Sequence, residues 1–289
     1  RRQIAQELEC NFNTSGETVV HPDDIGWMHS LICEPEYRTG YDRNFWIWEK
    51  YTEGASYLLV ADVARGDGAD NSVFHIIKLE TMEVVAEYQG KPNLDMYAQM
   101  LFSAGSEYGN CLLVVENNGI GISILEKLIT LGYPNLYYSI KSTHEFVEAV
   151  QGESMDRAIA GFTTSLKTRP LIVAKLEEFV RNKMIRCYSS RIVNEIKTFV
   201  WHNGKPQAMR SYNDDLVMAL AIACWVRDTA LQVNQRDVEY KKAILNSMFV
   251  NKTTMNTTIK GMDGYGNTLK DKQAEAKQKV IDMPWIYKG

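Results

Sequence analysis

The sequence lacks the features that define several large classes of protein. No run of eighteen apolar residues occurs and the start has no signal-peptide hydrophobic region, so neither a transmembrane helix nor a secretory signal is predicted. No GxxxxGK motif followed by Ser or Thr occurs, which excludes ATP binding through a P-loop by these residues. The five cysteines lie far apart without a CxxC pair, which argues against zinc and indicates free thiols in a reducing compartment.

Charge is distributed unevenly along the chain. The formal net charge is −4, which by itself argues against a protein that simply coats nucleic acid. From Lys241 onward nine lysines stand against four acids, about +5, which leaves about −9 on the preceding part. That acidic part repels DNA at a distance, so any DNA contact must rely on local basic positions, on bound metal or on the tail.

Three regions are predicted from composition. Residues 1–50 mix helical, polar and aromatic segments and are expected to connect to another domain. Residues 51–230 alternate strand and helix patterns and form the predicted core domain. Residues 231–289 are polar and basic, so a solvated, partly disordered extension is predicted. Because the chain starts without an initiator Met, we expect it to be part of a longer protein.

The core domain is predicted to be an α/β fold. Strands at 57–63, 72–79 and 83–90 are joined by short turns, which predicts an antiparallel meander. Later strands alternate with helices, which favours parallel pairing there and hence a mixed β-sheet flanked by helices. The later strands are predicted at 111–116, 136–139 and 184–188, and the helices at 93–107, 120–131, 171–182, 190–200 and 214–228.

Acidic residues next to apolar runs carry the most information. Asp62 ends the run Leu58-Leu59-Val60-Ala61, and an unpaired buried carboxylate is strongly unfavourable. Glu116 ends a second apolar strand, and Asn213-Asp214-Asp215 precedes the apolar helical stretch 216–223. No cationic residue between them lies in a strand that is predicted to be buried. A divalent metal ion is therefore the expected partner, because hard cations are bound by clustered carboxylate oxygens.

Each acid also has an ordinary structural interpretation. Asp214 or Asp215 at a helix start is suited to cap the helix. Glu116 is equally explained as the exposed end of a strand. Asp62 is harder to explain in this way, although a turn-forming Asp before Ala64-Arg65-Gly66 is an alternative. The order of elements nevertheless resembles the ribonuclease H-like arrangement, in which the first and fourth strands lie side by side at the sheet centre and the final helix supplies a third acid. Such a set suits phosphodiester hydrolysis by two metal ions.

Four motifs in a fixed order carry a more specific resemblance. They are Val60-Ala61-Asp62 with Gly68-Ala69-Asp70, Val114-Val115-Glu116-Asn117-Asn118-Gly119, Gly161-Phe162-Thr163-Thr164-Ser165 through Lys167-Thr168-Arg169-Pro170, and Tyr212-Asn213-Asp214-Asp215-Leu216-Val217-Met218. Together they resemble the nuclease domain of the large terminase subunit of tailed bacteriophages, the DNA-packaging motor protein, of the myovirus type. The likeness covers about residues 1–230, because Gln6-Glu7 and Thr14-Ser15-Gly16 resemble the segment that joins the motor ATPase to its nuclease.

This resemblance implies an endodeoxyribonuclease that uses Mg²⁺ or Mn²⁺ and cleaves concatemeric viral double-stranded DNA during genome packaging. Asp62, Glu116 and Asp215 would be the catalytic, metal-binding acids, with Asp214 and Asp70 as auxiliary ligands. Asp215 is preferred to Asp214 because the acid of the family directly precedes the apolar helix. Without metal, mutual repulsion should make at least one of these acids bind a proton more readily than a free carboxyl group.

The resemblance also implies partners and a location. In this family an ATPase domain of the same protein translocates the DNA, and the portal and the small terminase subunit are the other expected partners, without membrane contact. The family acts in the cytoplasm of the infected bacterial host and binds the procapsid transiently, so it is not expected in the mature virion. These residues, which lack the ATPase half, should cut DNA but not pump it.

Other candidate residues are weaker. The five histidines show no HExxH or paired ligand spacing and are assigned no catalytic role. Several basic side chains are candidates for contacts with DNA phosphates, although solvated surface charge is the better explanation for any one of them taken alone. These basic candidates are Arg65, Lys141, Lys167, Arg169 and Arg191.

Two other functions stay open at the level of sequence. The first is another ribonuclease H-like phosphoryl-transfer enzyme, such as a junction resolvase or a transposase, which would use the same acids on a different substrate. The second is a docking domain for the portal or the motor ATPase, in which the carboxylates are structural and aromatic residues such as Trp46 and Trp48 make the contacts.

Overall fold

The structure of the protein, a computed structural model, describes residues 18–40, 42–64, 70–140 and 158–227. All of them belong to the first of two units into which the chain divides, residues 1–231 and 232–289. Within the described ranges no helix is both long and apolar enough to cross a bilayer. The predicted C-terminal extension lies outside the described residues, and its boundary stays a prediction.

One six-stranded mixed sheet organises the described part of the chain. Its strands are β1 (Tyr37–Thr39), β2 (Phe45–Ile47), β3 (Tyr57–Asp62), β4 (Ser72–Lys78), β5 (Glu83–Gly90) and β6 (Leu112–Val115). They lie in the order β1-β2-β5-β4-β3-β6. Strands β3, β4 and β5 form an antiparallel meander, and β3 pairs with β6 in parallel. The predicted mixed α/β sheet is therefore confirmed.

The position of β6 corrects one expectation. β3 and β6 are neighbours, as predicted, but β6 is the last of the six strands instead of a central one. Its outer edge is still paired, because Leu113 forms a parallel bridge with Leu136 and Glu116 forms one with Phe162. These bridges fix the end of β6, where Glu116 lies.

Six helices are described, and they cover both faces of the sheet. They are α1 (Pro22–Ser30), α2 (Leu94–Glu107), α3 (Gly121–Thr130), α4 (Thr168–Arg181), α5 (Ser190–Thr198) and α6 (residues 215–227). Leu58 and Val60 of β3 pack in one apolar core with α1, α4, α5 and α6, whereas Leu59 and Ala61 pack in the other with α2 and α3. Burial on both faces explains why β3 is a continuous apolar run.

Residues predicted as a connector contribute to the sheet. Strands β1 and β2 both lie within 1–50, and β2 pairs with β5 so that Trp46 is opposite Glu87. The Phe45 ring packs edge-on against Phe74 of β4 with 5.2 Å between ring centroids. The sequence did not predict this extension of the sheet, and the domain boundary at residue 50 stays a prediction.

The strand predicted at 184–188 is wrong as a full strand. Only Arg186 pairs there, through a single parallel bridge to Glu83. Neighbouring Ile185 and Cys187 are fully buried in the core on the α4 side of the sheet. The apolar alternation that predicted a strand therefore reflects burial of a short connection.

Two small two-stranded sheets complete the described chain. The helix predicted over 190–200 ends early, because the chain enters a hairpin of β9 (Phe199–His202) and β10 (Lys205–Ala208). The strand predicted at 136–139 is represented by the Leu136 bridge and by β7 (Tyr138–Ile140), which pairs with β8 (Ala158–Ala160).

Candidate metal centre

Asp62 and Glu116 leave the sheet side by side. Ala61 is in register with Val115 across the parallel β3–β6 pair, and Glu116 N donates to Ala61 O at 2.9 Å. Each acid is therefore at the carboxyl end of its strand, and the two carboxyl groups are neighbours whose interaction raises the pKa of Asp62. Two carboxylates placed side by side repel each other, so a cation bound between them would be favourable.

The turn after β6 holds the Glu116 side chain. Asn118 Nδ2 donates to Glu116 Oε1 at 2.9 Å and to Thr164 O at 2.7 Å, so one amide joins the acid to the segment that follows β8. Gly121 opens α3 directly behind this turn, and a Cβ there would lie 1.8 Å from Glu116 O. Glycine at this position is therefore required for the approach of α3 to the end of β6.

The segment after β8 fixes the Glu116 backbone from the other side. Phe162 N donates to Val115 O and Asn117 N donates to Phe162 O, both at 2.9 Å. Gly161 adopts φ +83°, and a Cβ there would lie 2.5 Å from Val115 O. The Gly161-Phe162 part of the third motif is thus needed for close packing on the end of β6.

Asp215 begins α6 and faces the start of β4. Its Oδ2 accepts from Asn71 N at 2.9 Å and from Asn213 Nδ2 at 3.2 Å. The first-turn amides of α6 are not capped by Asp214 or Asp215, because Leu216 N and Val217 N donate to Glu195 of α5. The ordinary interpretation of these two acids as side-chain helix caps therefore does not hold.

Burial and neighbouring acids raise the pKa values of Asp62 and Asp215. Burial raises the pKa of Asp62 well above its usual range, the adjacent Glu116 carboxyl raises this pKa further, and the Asp215 charge adds to the effect. Burial raises the pKa of Asp215 to about 6, with contributions from the charges of Asp70 and Asp214, while the Asn71 hydrogen bond opposes the shift. The expectation that at least one acid binds a proton readily agrees with both shifts.

The auxiliary candidates have other contacts. Asp214 Oδ2 pairs with Arg169 and accepts from Ala208 N at 3.3 Å, so it links α4 to β10. Arg169 also donates to Pro206 O at 3.1 Å. Asp70 is exposed, and its charge reaches Asp215. The structure thus brings Asp70 near the acids and engages Asp214 with the hairpin.

The remaining basic candidates are placed as follows. Lys167 is exposed directly before α4. Arg191 stacks over the Trp46 ring at 3.5 Å from its centroid and donates to Asn44, which is a structural role. Arg65 and Lys141 lie outside the described residues.

The donor set fits a hard divalent cation. Among the described side chains, no three His, Cys, Asp or Glu groups already form a metal cluster, and Asp215 accepts a hydrogen bond from Asn71 N. All three acids are nevertheless carboxylates, and Asp62 and Glu116 end adjacent strands, so a cation bound there would offset their mutual repulsion. Oxygen-only donors suit Mg²⁺ or Mn²⁺ better than softer metals.

Three further acidic or basic groups behind the site were not predicted from sequence. Glu195 lies between Val193 and Ile196 on the buried face of α5, and burial raises its pKa to about 9, with the Asp215 charge contributing. Burial raises the pKa of Glu87 to about 7, with the Ser189 hydrogen bond opposing the shift, and lowers that of His75 to about 4. An acid at an apolar position of a strand or helix was the available signal for Glu87 and Glu195.

A cleft of about 650 Å³ opens beside Asp214. It lies between the start of α4 and the β9–β10 hairpin. Arg169 and Lys205 line it with Asp214, so basic side chains border the acidic site at this place.

The fold and the arrangement of the acids indicate the structural class of this chain. The chain has a ribonuclease H-like fold, with a mixed sheet whose adjacent parallel strands both end in acids. No protein-family model matches it, and no curated protein sequence matches it significantly.

Comparison with solved structures gives more specific similarities. The crystal structure of the large terminase nuclease from thermophilic phage G20c with bound magnesium has a TM-score of 0.53 and 18% sequence identity to this chain. The similarity covers 73% of this chain and 97% of that nuclease. The same nuclease with bound cobalt gives identical values, and a third crystal structure of it gives a TM-score of 0.50. The chain therefore shares the fold of phage large terminase nucleases.

Proposed function

We propose that this chain is a metal-dependent endonuclease that cleaves concatemeric viral double-stranded DNA during genome packaging, as the nuclease part of a large terminase subunit. The observation that carries the proposal is the placement of Asp62 beside Glu116, within reach of the Asp215 charge. Two of these acids end adjacent parallel strands, the third begins α6, and their charges affect one another. Placing partly buried acids close to one another is unfavourable without a positive partner, so the arrangement indicates a binding site instead of a structural cluster.

Each acid has a defined part in the proposal. Asp62, Glu116 and Asp215 would hold Mg²⁺ or Mn²⁺, with Asp70 and Asp214 as auxiliary acids. Ions held there would supply activation of a water molecule and stabilisation of the leaving oxygen of the phosphodiester. Asp62 is fixed by its position at the end of β3, and its Oδ1 accepts from Val63 N at 2.7 Å.

DNA is proposed to approach along the cleft beside α4. Arg169 lines this cleft and Lys167 is exposed directly before α4, so both are candidates for phosphate contacts. Arg65 and Lys141 remain candidates from sequence. Arg169 already pairs with Asp214. A phosphate contact would therefore require the Arg169 guanidinium group to bind the phosphate and Asp214 at the same time.

The wider context follows from the same proposal. The motor ATPase domain of the same protein, the portal and the small terminase subunit are the proposed partners, and the cytoplasm of the infected bacterium is the proposed location, with transient binding to the procapsid. Co-purification of this chain with a separately expressed terminase ATPase domain tests the first of these contacts.

Plasmid cleavage tests the activity. Wild-type chain should convert supercoiled plasmid to linear fragments with Mg²⁺ or Mn²⁺ and not with EDTA. Asp62→Asn should lower the rate about 1,000-fold or more, equivalent to about 4 kcal/mol of transition-state stabilisation, with an unchanged circular dichroism spectrum. Asp23→Asn, at an exposed acid of α1, is the matched control and should cut normally. Full cleavage by Asp62→Asn would contradict the assignment.

The choice of substrate separates the two enzyme classes that share this fold. Linear duplex, four-way junction and RNA–DNA hybrid should be compared at equal concentration. Duplex cleavage with little sequence preference supports the terminase proposal, whereas strong preference for the junction indicates a resolvase. Metal binding without any cleavage, together with capture of the portal, would instead support the docking function.

A further inference from the structure

The Leu216 peptide is held by buried side chains from two other elements. On its amide side, Glu195 Oε2 of α5 accepts from Leu216 N at 2.9 Å and from Val217 N at 3.3 Å. On its carbonyl side, His75 Nε2 of β4 lies 3.0 Å from Leu216 O. His75 is fully buried and Glu195 is 9% exposed. These hydrogen bonds thus hold the first turn of α6 directly after Asp215.

The donor and the acceptor in each of these hydrogen bonds follow from the chemistry of the groups. A carbonyl oxygen only accepts, so His75 Nε2 carries the proton and donates to Leu216 O. Glu195 Oε2 accepts two amides, which satisfies donors that every helix leaves unpaired in its first turn. Glu195 does so from a different helix, twenty-one residues earlier in the chain.

Side chains of β5 lie behind Glu195 and His75, and one of them forms a hydrogen bond to Glu195. Gln89 Nε2 donates to Glu195 Oε1 at 3.0 Å. Glu87 Oε2 lies 3.8 Å from His75 Nδ1, and Glu87 Oε1 accepts from Ser189 Oγ at 2.6 Å. The central sheet therefore orients Glu195 through Gln89, whereas the His75 ring is oriented by its hydrogen bond to Leu216 O.

We propose that Glu195 and His75 are positioning residues that fix the Asp215 carboxylate for metal binding. The inference rests on the proposed function. Asp214 and Asp215 do not cap α6, because their carboxylates bond to Arg169 and Asn71 N. Glu195 and His75 therefore determine where the first turn of α6 lies, and through it where Asp215 points. Groups that orient a metal ligand from behind typically affect metal affinity 10- to 100-fold.

A pair of variants at each position separates positioning from bulk packing. Glu195→Met keeps the length and fills the space but cannot accept the two amides, whereas Glu195→Gln keeps an acceptor oxygen. His75→Leu removes the donor to Leu216 O, whereas His75→Gln keeps one. Asn93→Ala is the control, because Asn93 Oδ1 caps the distant helix α2 by accepting from Met96 N at 2.8 Å.

The measurements use the full 289-residue chain. Isothermal titration with Mn²⁺ should give a dissociation constant about 10- to 100-fold higher for Glu195→Met and His75→Leu, and within about threefold of wild type for the two Gln variants. Hydrogen exchange of the metal-free protein should show faster exchange at Leu216 N and Val217 N in Glu195→Met. Asn93→Ala should lower the melting temperature and leave Mn²⁺ affinity unchanged.

The outcomes distinguish failure of the positioning role from failure of the proposed function. Wild-type Mn²⁺ affinity in folded Glu195→Met and His75→Leu overturns the positioning role, as does a Gln variant that binds as weakly as its apolar counterpart. Wild-type chain that neither binds Mn²⁺ nor cleaves DNA contradicts the proposed function instead. Should Glu195→Met fail to fold, the His75 pair provides the same comparison.

Discussion

Individual carboxylates control the stability of the metal-free protein at this site. Asp215 holds its proton up to about pH 6 in the native state, whereas an unfolded chain releases it near its usual pKa of about 4. The native state therefore binds more protons between these values, so stability falls as pH rises from about 4 to 6 and stays lower above. Asp62 has the same direction of shift.

Asp215→Asn should remove this penalty. With EDTA present, the variant should be up to about 2 kcal/mol more stable than wild type at pH 8, allowing for partial exposure, and nearly equal at pH 4. Urea denaturation at the two pH values measures the difference. Asp23→Asn, an exposed acid, should show no such pH dependence. Equal stability of Asp215→Asn and wild type at pH 8 would contradict the electrostatic account.

The Asn118 amide should matter for activity more than for stability. It is exposed, but it joins Glu116 Oε1 to Thr164 O, so Asn118→Ala frees the acid to rotate. We expect cleavage to slow about 10- to 100-fold with a melting temperature close to wild type. Asn135→Ala is a matched control, because it removes a similar exposed amide bond, to Asn110 O at 3.1 Å, away from the acids. Equal activity of both variants would argue against an orienting role.

At the residue scale the sequence identified the acids but not their supports. Asp62 and Glu116 were recognisable because each ends an apolar run, and a charge there needs a partner. Glu87 and Glu195 carry the same signal within β5 and α5, yet their partners, Ser189 and the amides of α6, come from distant elements. Long-range hydrogen bonds of this kind leave no local pattern.

At the scale of elements, the turn from β6 to α3 sets the position of Glu116. Gly121→Ala would place a methyl group against Glu116 O, which is backbone and cannot rotate away. We expect a loss of about 1–3 kcal/mol in unfolding free energy and a large loss of cleavage. Gly26→Ala in α1 is the control, because its Cβ meets nothing within 4 Å and should stabilise by about 0.5–1 kcal/mol. Both values follow from urea denaturation.

Elements with strong periodicity were predicted well. The meander of β3, β4 and β5 and the helices α2 and α3 lie within a residue or two of their predicted bounds, because local pattern and burial agree there. β1 and β2 were missed because their three-residue length gives no periodicity, and they join the sheet through β5. The strand at 184–188 failed for the opposite reason, since buried apolar residues imitate a strand.

At the scale of the whole molecule, net charge should govern DNA association. Replacing Lys270, Lys272, Lys277 and Lys279 by Gln changes the formal charge from −4 to −8. Greater repulsion should weaken binding to duplex DNA at 50 mM salt and much less at 200 mM salt, where screening is stronger. Fluorescence anisotropy measures both constants. The same four positions changed to Arg keep the charge and should bind like wild type; a loss that is independent of salt would point to specific contacts.

The central claim is that Asp62, Glu116 and Asp215 form one metal centre. Anomalous diffraction from a crystal soaked in Mn²⁺ tests it most directly. If the three acids do form one centre, the anomalous difference map should show a Mn²⁺ peak about 2 Å from carboxylate oxygens of both Asp62 and Glu116. The Asp215 side chain should have turned from Asn71 N toward the same site. No peak near these three residues at millimolar Mn²⁺ would contradict the claim.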